Sequence, residues 1–305
     1  MIPAAAPERR RTMKKTRKRI LTFLLSVLAV VTVVFLIYLW QEQYRTGRGK
    51  PTIICPTESI YVSVENLSDP GVLLRDVTAM DAEDGDITSS LVVESVSQFV
   101  EKDHCIVTYA AFDSANNVSK LTRHLFLTDY SSPRFRLIGP LEFNHSSSFD
   151  PLSSVRAYDC VDGDISDRVK MILKDPNDDV YSVGVHPVEF RVANSLGDVS
   201  VLEAEIDVYE RTYTESRMIP AVRLTDYLVY ADMYGYVDPM SLVSGVYLGG
   251  VLYDISEYKG GALTVDASEV DYKTPGVYRI VYTCENRAEY YGSTVLIVIV
   301  TEVDR

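Results

Sequence analysis

The sequence carries one acidic ten-residue pattern twice, and this repeat constrains the fold more than any other feature. Residues 79–88 read AMDAEDGDIT and residues 157–166 read AYDCVDGDIS, so both follow A-x-D-x-x-D-G-D-I-[ST]. Such a segment is typical of a turn, because Asp side chains accept hydrogen bonds from nearby N–H groups and Gly tolerates positive φ. A turn copied along the chain predicts an architecture of repeated domains.

A strand pattern near the end of each repeat adds a third copy. HCIVTYAAFD at 104–113, VHPVEFRVAN at 185–194 and VYRIVYTCEN at 277–286 each place an aromatic residue four positions before an Asp or Asn. Alternation with a period of two predicts a strand with one buried face and an aromatic residue at a fixed depth. The predicted buried residues are Cys105, Val107, Tyr109 and Ala111, then His186, Val188, Phe190 and Val192, then Tyr278, Ile280, Tyr282 and Cys284. A further strand follows each polar turn.

Residues 20–40, ILTFLLSVLAVVTVVFLIYLW, form an uncharged stretch that predicts a transmembrane helix. At about 1.5 Å per residue this stretch spans roughly 30 Å, the thickness of a hydrocarbon core. Arg and Lys cluster before it, so the positive-inside rule predicts a single-pass protein of the cell membrane with a cytoplasmic N-terminus and extracellular C-terminal domains. A cleaved signal peptide is the alternative, but the apolar run is longer than such a peptide needs and ends without a small-residue cleavage site.

Together these patterns predict an all-β protein: three tandem Ig-like β-sandwich domains preceded by one transmembrane helix. The expected divisions are a basic cytoplasmic tail (1–19), the transmembrane helix (20–40), a juxtamembrane linker (41–50), Ig-like domain 1 (51–130), Ig-like domain 2 (131–210) and a divergent Ig-like domain 3 (211–305). Residues 1–50 hold eleven of the 30 Lys and Arg residues but only two of the 43 Asp and Glu residues. The acidic remainder repels nucleic acid, which excludes nucleic-acid binding.

The first repeat resembles a known bacterial family. Its DAEDGDIT, followed by VTYAAFDSANN and then LTD-x-x-x-P, is similar to the Ig-like domain named for pesticidal crystal proteins. Hyalin-repeat and cadherin-like sandwiches share that architecture. The second repeat keeps YDCVDGDIS but has ANSLGD where the family has Asp-x-x-Gly-Asn, and the third keeps only PGVYRIVYTCEN. The resemblance implies sandwich domains on a bacterial surface and no single activity.

The acidic turns admit three interpretations: a structural turn, a metal site or a catalytic carboxylate pair. In an Ig-like topology the turns after the second and sixth strands meet at one apex. The candidate ligands are Asp81, Asp84, Asp86 and Asp113 in the first repeat, and Asp159, Asp162 and Asp164, near Asn194, in the second. In the second repeat the apex is expected to face the link that contains Asp129. Converging oxygen atoms suit Ca²⁺, the one cofactor considered, although the spacing is not that of an EF-hand.

Two further features allow alternatives. Cys55 and Cys105 lie in the same predicted domain and are a candidate disulfide in an oxidising exterior, with two unpaired thiols as the alternative. The third domain is rich in tyrosine, which suits recognition of a protein or glycan unless those rings pack in the core. These tyrosines are Tyr227, Tyr230, Tyr234, Tyr236, Tyr247 and Tyr253.

The function expected from the sequence is non-enzymatic. A membrane-anchored ectodomain of this kind suits adhesion, cell-wall contact or protein–protein interaction, with an unidentified extracellular protein or glycan as partner. The alternative is an extracellular sensor or accessory subunit of a membrane complex. No catalytic residue is assigned, and an enzyme is the third option.

Overall fold

A computed structural model describes residues 8–46 and 49–302. Helix α1 (Glu8–Thr46) contains the predicted membrane segment and extends beyond it at both ends. Within it, Lys18–Gln41 has a mean hydropathy of 3.0 and is not buried against the rest of the protein. The helix is therefore long and apolar enough to cross a membrane, properties that a signal sequence shares. Residues 1–7 of the predicted cytoplasmic tail lie outside the described residues.

The first sandwich consists of one three-stranded and one four-stranded sheet, ordered β1-β3-β4 and β2-β7-β6-β5. Its strands are β1 (Thr52–Ile54), β2 (Ser59–Val62), β3 (Thr78–Asp81), β4 (Gly85–Asp86), β5 (Val92–Val96), β6 (His104–Phe112) and β7 (Val118–Leu127). Short helices fill the connections: α2 (Pro70–Leu73) and 3₁₀ turns at Val64–Asn66 and Thr88–Ser90.

The second sandwich repeats the same strand order, β11-β10-β8 and β12-β13-β14-β9. Its strands are β8 (Arg134–Leu137), β9 (Glu142–Asn144), β10 (Val155–Asp159), β11 (Gly163–Asp164), β12 (Lys170–Leu173), β13 (Gly184–Ala193) and β14 (Val199–Tyr209), with a 3₁₀ turn at Ser166–Arg168. Neighbouring strands are antiparallel except β9, which runs parallel to β14.

The third sandwich follows α3 (Tyr213–Met218) and has the same order again, β15-β17-β18 and β16-β21-β20-β19. Its strands are β15 (Ala221–Leu224), β16 (Leu228–Asp232), β17 (Val243–Leu248), β18 (Val251–Tyr253), β19 (Leu263–Asp266), β20 (Gly276–Glu285) and β21 (Tyr291–Thr301), with a 3₁₀ turn at Pro239–Leu242. Where the other repeats have the acidic turn, Gly249 and Gly250 join β17 to β18 with positive φ at both positions. A two-residue hairpin needs this backbone, and only Gly adopts it without strain. The all-β fold class with one apolar helix is confirmed.

The buried face predicted for the strand before each polar turn is confirmed in β6, β13 and β20. Tyr109, Phe190 and Tyr282 are fully buried, and so are the residues that alternate with them. Only Tyr278, at the start of β20, is no more than partly buried. Each such aromatic ring anchors a core, since it removes a large apolar surface from water.

A third repeated motif, which was not predicted from the sequence, is the dipeptide Asp-Pro. Asp-Pro occurs at matching places in the three repeats, at 69–70, 150–151 and 238–239, and once more at 175–176. Each time the Asp Oδ1 accepts a hydrogen bond from the backbone N–H two residues later, at 2.8–3.1 Å. Two of these capped turns also accept a hydrogen bond from the buried tyrosine of their own sandwich. Tyr109 Oη donates to the carbonyl of Leu73 and Tyr282 Oη to that of Pro239, both at 2.8 Å. The signal was present as a dipeptide at a matching place in each repeat.

The chain divides into two compact units. The first comprises the chain up to Ile60 with Asp69–Val96 and Ile106–Leu125, and the second comprises Tyr61–Ser68, Ser97–Cys105 and the chain from Phe126 onward. This division does not decide the predicted domain bounds, which stay a prediction.

Candidate functional site

The carboxylates of the acidic turns accept hydrogen bonds from backbone N–H groups of the same turns. Asp81 Oδ1 accepts hydrogen bonds from the N–H groups of Glu83 and Asp84, at 2.8 and 3.0 Å. Asp159 Oδ1 accepts from Val161 and Asp162 at 2.9 and 3.0 Å. These bonds close the loop before a glycine.

The end of each turn is held in the same way. Asp86 Oδ1 accepts from the Thr88 N–H at 2.9 Å, and Asp164 Oδ1 accepts from the Ser166 N–H at 3.0 Å. The glycine between the two capped halves, Gly85 or Gly163, has φ of 73°. A non-glycine residue there would be strained, because this is the left-handed region.

The middle carboxylate of each turn forms a clasp to the turn after the buried strand. Asp84 accepts from the N–H and Oγ–H of Ser114 at 2.6 and 2.9 Å. Asp162 accepts from the N–H and Oγ–H of Ser195, both at 2.7 Å, and also binds Arg168 Nη1 at 2.5 Å. In these two repeats the two turns therefore meet at one apex, as predicted, although the acidic turn follows the third strand of each sandwich and not the second.

The Asp or Asn after each buried strand closes its own turn. Asp113 accepts from the backbone and side-chain N–H groups of Asn117 at 2.7 and 2.6 Å. Asn194 Oδ1 accepts from the Asp198 N–H at 2.9 Å, and Asn194 Nδ2 donates to Asp159 Oδ2 at 3.2 Å. Each polar turn is thus closed by bonds within the protein.

Hydrogen bonding lowers the pKa of four of these carboxyl groups. The bonds from Asp84 and Glu83 lower the pKa of Asp81, and Thr88 does so for Asp86. Burial alone would raise the pKa of Asp162, but Ser195 and the Arg168 guanidinium outweigh it and lower that pKa. Ser166 likewise lowers the pKa of Asp164. The charged forms are thus stabilised by protein donors.

The link between the first two sandwiches approaches the second apex through Tyr130. Tyr130 Oη donates to Asp198 Oδ2 at 2.7 Å and accepts from Asn194 Nδ2 at 2.8 Å. The apex therefore faces the link that contains Asp129, as predicted. The Asp129 carboxylate itself accepts from Ser63 Oγ and the Val64 N–H, at 2.7 and 2.8 Å.

The loop before β6 contacts the same apex. Within the second unit, the Phe99 N–H donates to the Leu196 carbonyl at 2.8 Å, and the Phe99 ring packs edge-on against Tyr130 with 4.7 Å between centroids. The second apex is therefore a contact surface inside the protein, which favours a structural role for its acidic turn.

The described residues contain no group of three or more His, Cys, Asp or Glu side chains placed to hold a metal ion. Ca²⁺ needs about six to eight oxygen ligands, whereas Asp81, Asp84, Asp159 and Asp162 already accept protein N–H groups. The geometry favours the structural turn. The calcium site stays a prediction that a direct measurement can decide.

We expect millimolar Ca²⁺ to leave the melting temperature of the full chain in lipid nanodiscs unchanged relative to a chelator. A ligand at about one hundred times its Kd stabilises the native state by about 2.7 kcal/mol, so a bound ion would be visible in a calorimetric scan. Mg²⁺ at equal ionic strength is the control. A rise with Ca²⁺ alone, abolished in Asp84→Asn or Asp162→Asn, would establish the calcium site instead.

All four cysteines carry free thiols in the structure. Cys55 Sγ donates to the Thr57 carbonyl at 3.1 Å, and Cys105 lies fully buried on β6. The Cys55–Cys105 bridge is not formed here, and it stays a prediction for protein from an oxidising environment. Burial raises the pKa of the Cys105 thiol to about 11, which keeps it unreactive.

The tyrosines of the third sandwich differ in how far their side chains are exposed. Tyr227 is buried, and Tyr230 Oη accepts from the Phe135 N–H at 2.9 Å. Tyr234 and Tyr236 are 73% and 74% exposed, whereas Tyr247 is 38% exposed. The side chains of Tyr253 and Tyr258 pack on each other, with centroids 6.3 Å apart. Sequence alone could not separate these groups.

The loop that carries Tyr234 and Tyr236 is fixed by its backbone. Tyr234 has φ of 64°, a conformation that is strained for an aromatic residue, and its N–H donates to the Tyr272 carbonyl at 2.7 Å. A Cβ on Gly235 would lie 2.8 Å from the Asp232 carbonyl oxygen, so only glycine fits. Two exposed rings are therefore presented on a rigid turn.

No protein-family model and no curated protein matches the chain. Among solved structures, Drosophila N-cadherin EC1-3 is 9% identical, with 82% of this chain and 99% of that chain covered and a TM-score of 0.32. The CBM51-2 and INT domains of Clostridium perfringens ZmpB, in complex with GlcNAc, are 20% identical over 50% of this chain, with a TM-score of 0.21. Mouse cadherin-23 EC22-24 is 12% identical over 83% of this chain, with a TM-score of 0.19.

The chain spans only 26% of the first ZmpB structure and 31% of a second one that includes the M60 catalytic domain. TM-scores of this size carry no argument about family or function. The pesticidal-crystal-protein type of Ig-like domain therefore stays a hypothesis, while the β-sandwich array rests on the strands themselves.

Proposed function

We propose that this protein is a membrane-anchored surface protein that binds an extracellular partner without catalysing a reaction. Its apolar helix supports anchoring, and the charge bias around that helix supports a cytoplasmic N-terminus. Three sandwiches then lie outside the membrane, and the third presents the binding surface.

The observation that carries the proposal is the exposed pair Tyr234 and Tyr236 on a strained, rigid turn. Tyrosine rings lose little conformational entropy on binding and contribute strongly at recognition surfaces. Tyr236 packs at an angle against Tyr272, with 5.9 Å between centroids, which supports the ring from behind. A surface that is fixed before binding avoids much of the ordering cost.

The test compares binding of the full chain in nanodiscs to isolated cell-envelope material from the source organism. We expect the double variant Tyr234→Ala/Tyr236→Ala to bind about tenfold more weakly or worse, because interface aromatics commonly contribute 2 kcal/mol or more, by rough estimate. Tyr61→Ala is the matched control, since Tyr61 is 71% exposed and lies outside this loop.

Two results would contradict the proposal. One is a double variant that binds as tightly as the wild type, and the other is an equal loss in Tyr61→Ala. Treating the envelope with protease or with glycan hydrolases before the assay identifies the chemical class of the partner.

A further inference from the structure

The second compact unit contains a cleft of about 430 Å³ between its two complete sandwiches. Strands β9, β13 and β14 contribute to one wall, and β20 and β21 contribute to the other. Its volume falls within the range of small-ligand sites, about 300–1,000 Å³. The cleft does not include the Tyr234 loop, so it is independent of the proposed binding surface.

Much of the wall is apolar. Val185 and Pro187 line it from β13, and Val277 and Val281 line it from β20. Val185 is 58% exposed and Val277 is 43% exposed, so apolar surface faces the open space. Such walls favour a ligand with a hydrocarbon part.

The cations that line the cleft are already paired with carboxylates. Lys174 Nζ lies 2.8 Å from Glu203 Oε2, and Arg279 of the third sandwich forms an ion pair with Glu205 of the second. The two pairs are neutral overall. The net charge of the cleft therefore comes from its remaining acidic residues.

Those remaining residues are Glu142 and Asp207. They are direct partners in the register of the parallel strands β9 and β14, so their side chains lie next to each other. Neither forms an ion pair with a cation among the described residues. Two adjacent carboxylates repel each other, and a bound positive charge relieves that repulsion.

Burial is the main reason why Glu142 holds its proton more tightly than a free carboxyl group. Burial and the Asp207 carboxylate raise the pKa of Glu142 to about 7, although Arg211, Arg223 and the Val295 N–H act in the opposite direction. Protonation of Glu142 removes one of the two negative charges of this carboxylate pair.

We propose that this cleft binds a primary ammonium group on an apolar chain, with Glu142 and Asp207 contacting the ammonium and the valine walls contacting the chain. A metal ion is a poorer occupant, since no cluster of three ligating side chains exists among the described residues. The two carboxylates supply charge-assisted hydrogen bonds, the stronger class of hydrogen bond.

The experiment uses the full chain in nanodiscs of neutral lipid and three probes of similar shape: n-pentylammonium, n-pentanol and pentanoate. Calorimetric titration is expected to give saturable binding for n-pentylammonium and none for the other two. Glu142→Gln, which keeps the side-chain volume, is expected to weaken binding about tenfold or more, whereas Glu94→Gln, at a carboxylate that does not line the cleft, leaves it unchanged. Binding should strengthen between about pH 6 and about pH 8 as Glu142 loses its proton.

Val281→Trp fills the cleft from the opposite wall without changing a charge, and it is expected to abolish binding at an unchanged melting temperature. This second variant keeps the test valid if Glu142→Gln destabilises the protein. Equal binding of n-pentanol and n-pentylammonium would overturn the proposal, because it would show an apolar cleft alone. Absence of binding at millimolar probe, or binding unaffected in both Glu142→Gln and Val281→Trp, would overturn it as well.

Discussion

Replacing Tyr282 with Ala is expected to destabilise the third sandwich by about 3–5 kcal/mol, the range for deleting a buried aromatic ring. Tyr282 is fully buried on β20, and its hydroxyl donates to the Pro239 carbonyl. The variant therefore loses both apolar burial and the bond that holds the 3₁₀ turn. Hydrogen exchange of peptides from β20 and β21 in the full chain measures the effect, since a protein of several domains need not unfold in one step.

Tyr282→Phe is the matched control. It keeps the ring and removes only the hydroxyl, so we expect a cost of about 1 kcal/mol from the hydrogen bond left unmade. Phe190, which occupies the same position in the second sandwich, shows that the fold accepts a ring without a hydroxyl there. A loss below about 1 kcal/mol in Tyr282→Ala would show that the ring is not part of a packed core.

The sequence predicted the parts of the fold that depend on local pattern. Alternation along β6, β13 and β20 is local, because successive side chains of a strand point to opposite faces. Tyr109 and Phe190 could therefore be placed in the core before any partner was known, and both are fully buried. The same reasoning placed Tyr282, although the rest of the third repeat had diverged.

Contacts between distant segments could not be read from pattern. The link that contains Asp129 was expected to face the second apex, and it does so, but the sequence did not show which of its side chains makes the contact. Tyr130 reaches Asn194, whereas Asp129 binds Ser63 and Val64. In an irregular link, no periodicity tells which side chain points toward a given partner. A shift of one residue is enough to change the side chain that makes the contact. For the same reason Tyr230 and Tyr234 looked equivalent in sequence.

The role of the acidic turns could not be predicted from the sequence either. Carboxylates at the spacing of Asp159, Asp162 and Asp164 can serve a turn or an ion, because both use oxygen atoms as acceptors. The decision depends on which N–H groups approach them, and the clasp from Ser195 comes from a turn that lies far along the chain. Glu142 and Asp207 gave no sequence signal, since the register of β9 with β14 brings them together.

Replacing Asp162 with Ala is expected to destabilise the second sandwich by about 2–3 kcal/mol. The Asp162 side chain is only 12% exposed and accepts from the N–H and Oγ–H of Ser195 and from Arg168. Charge-assisted bonds of this kind contribute about 1.5–3 kcal/mol, and the loss also leaves the Ser195 donors unsatisfied. Hydrogen exchange of peptides from β13 and β14 measures the change, with Asp167→Ala in the adjoining 3₁₀ turn as the control.

Asp84→Ala tests the same clasp in the first sandwich and is expected to cost less, about 1–2 kcal/mol. Asp84 also binds its serine twice, but the position of Arg168 is taken by Ser90, whose Oγ instead accepts from the Phe112 N–H. The difference between the two variants therefore reports the contribution of the arginine. Arg168→Ala should remove that difference, and an equal cost for Asp84→Ala and Asp162→Ala would show that the arginine contributes nothing.

The Asp162 clasp also predicts how stability depends on pH. Because the folded pKa of Asp162 lies below its unfolded value of about 3.9, the stabilisation is complete above that value and is lost as the pH falls through the folded pKa. The gap between wild type and Asp162→Ala should therefore stay constant between about pH 5 and about pH 8 and narrow below about pH 4. A gap that does not narrow at all below about pH 4 would mean that the loss comes from packing and not from the charged carboxylate.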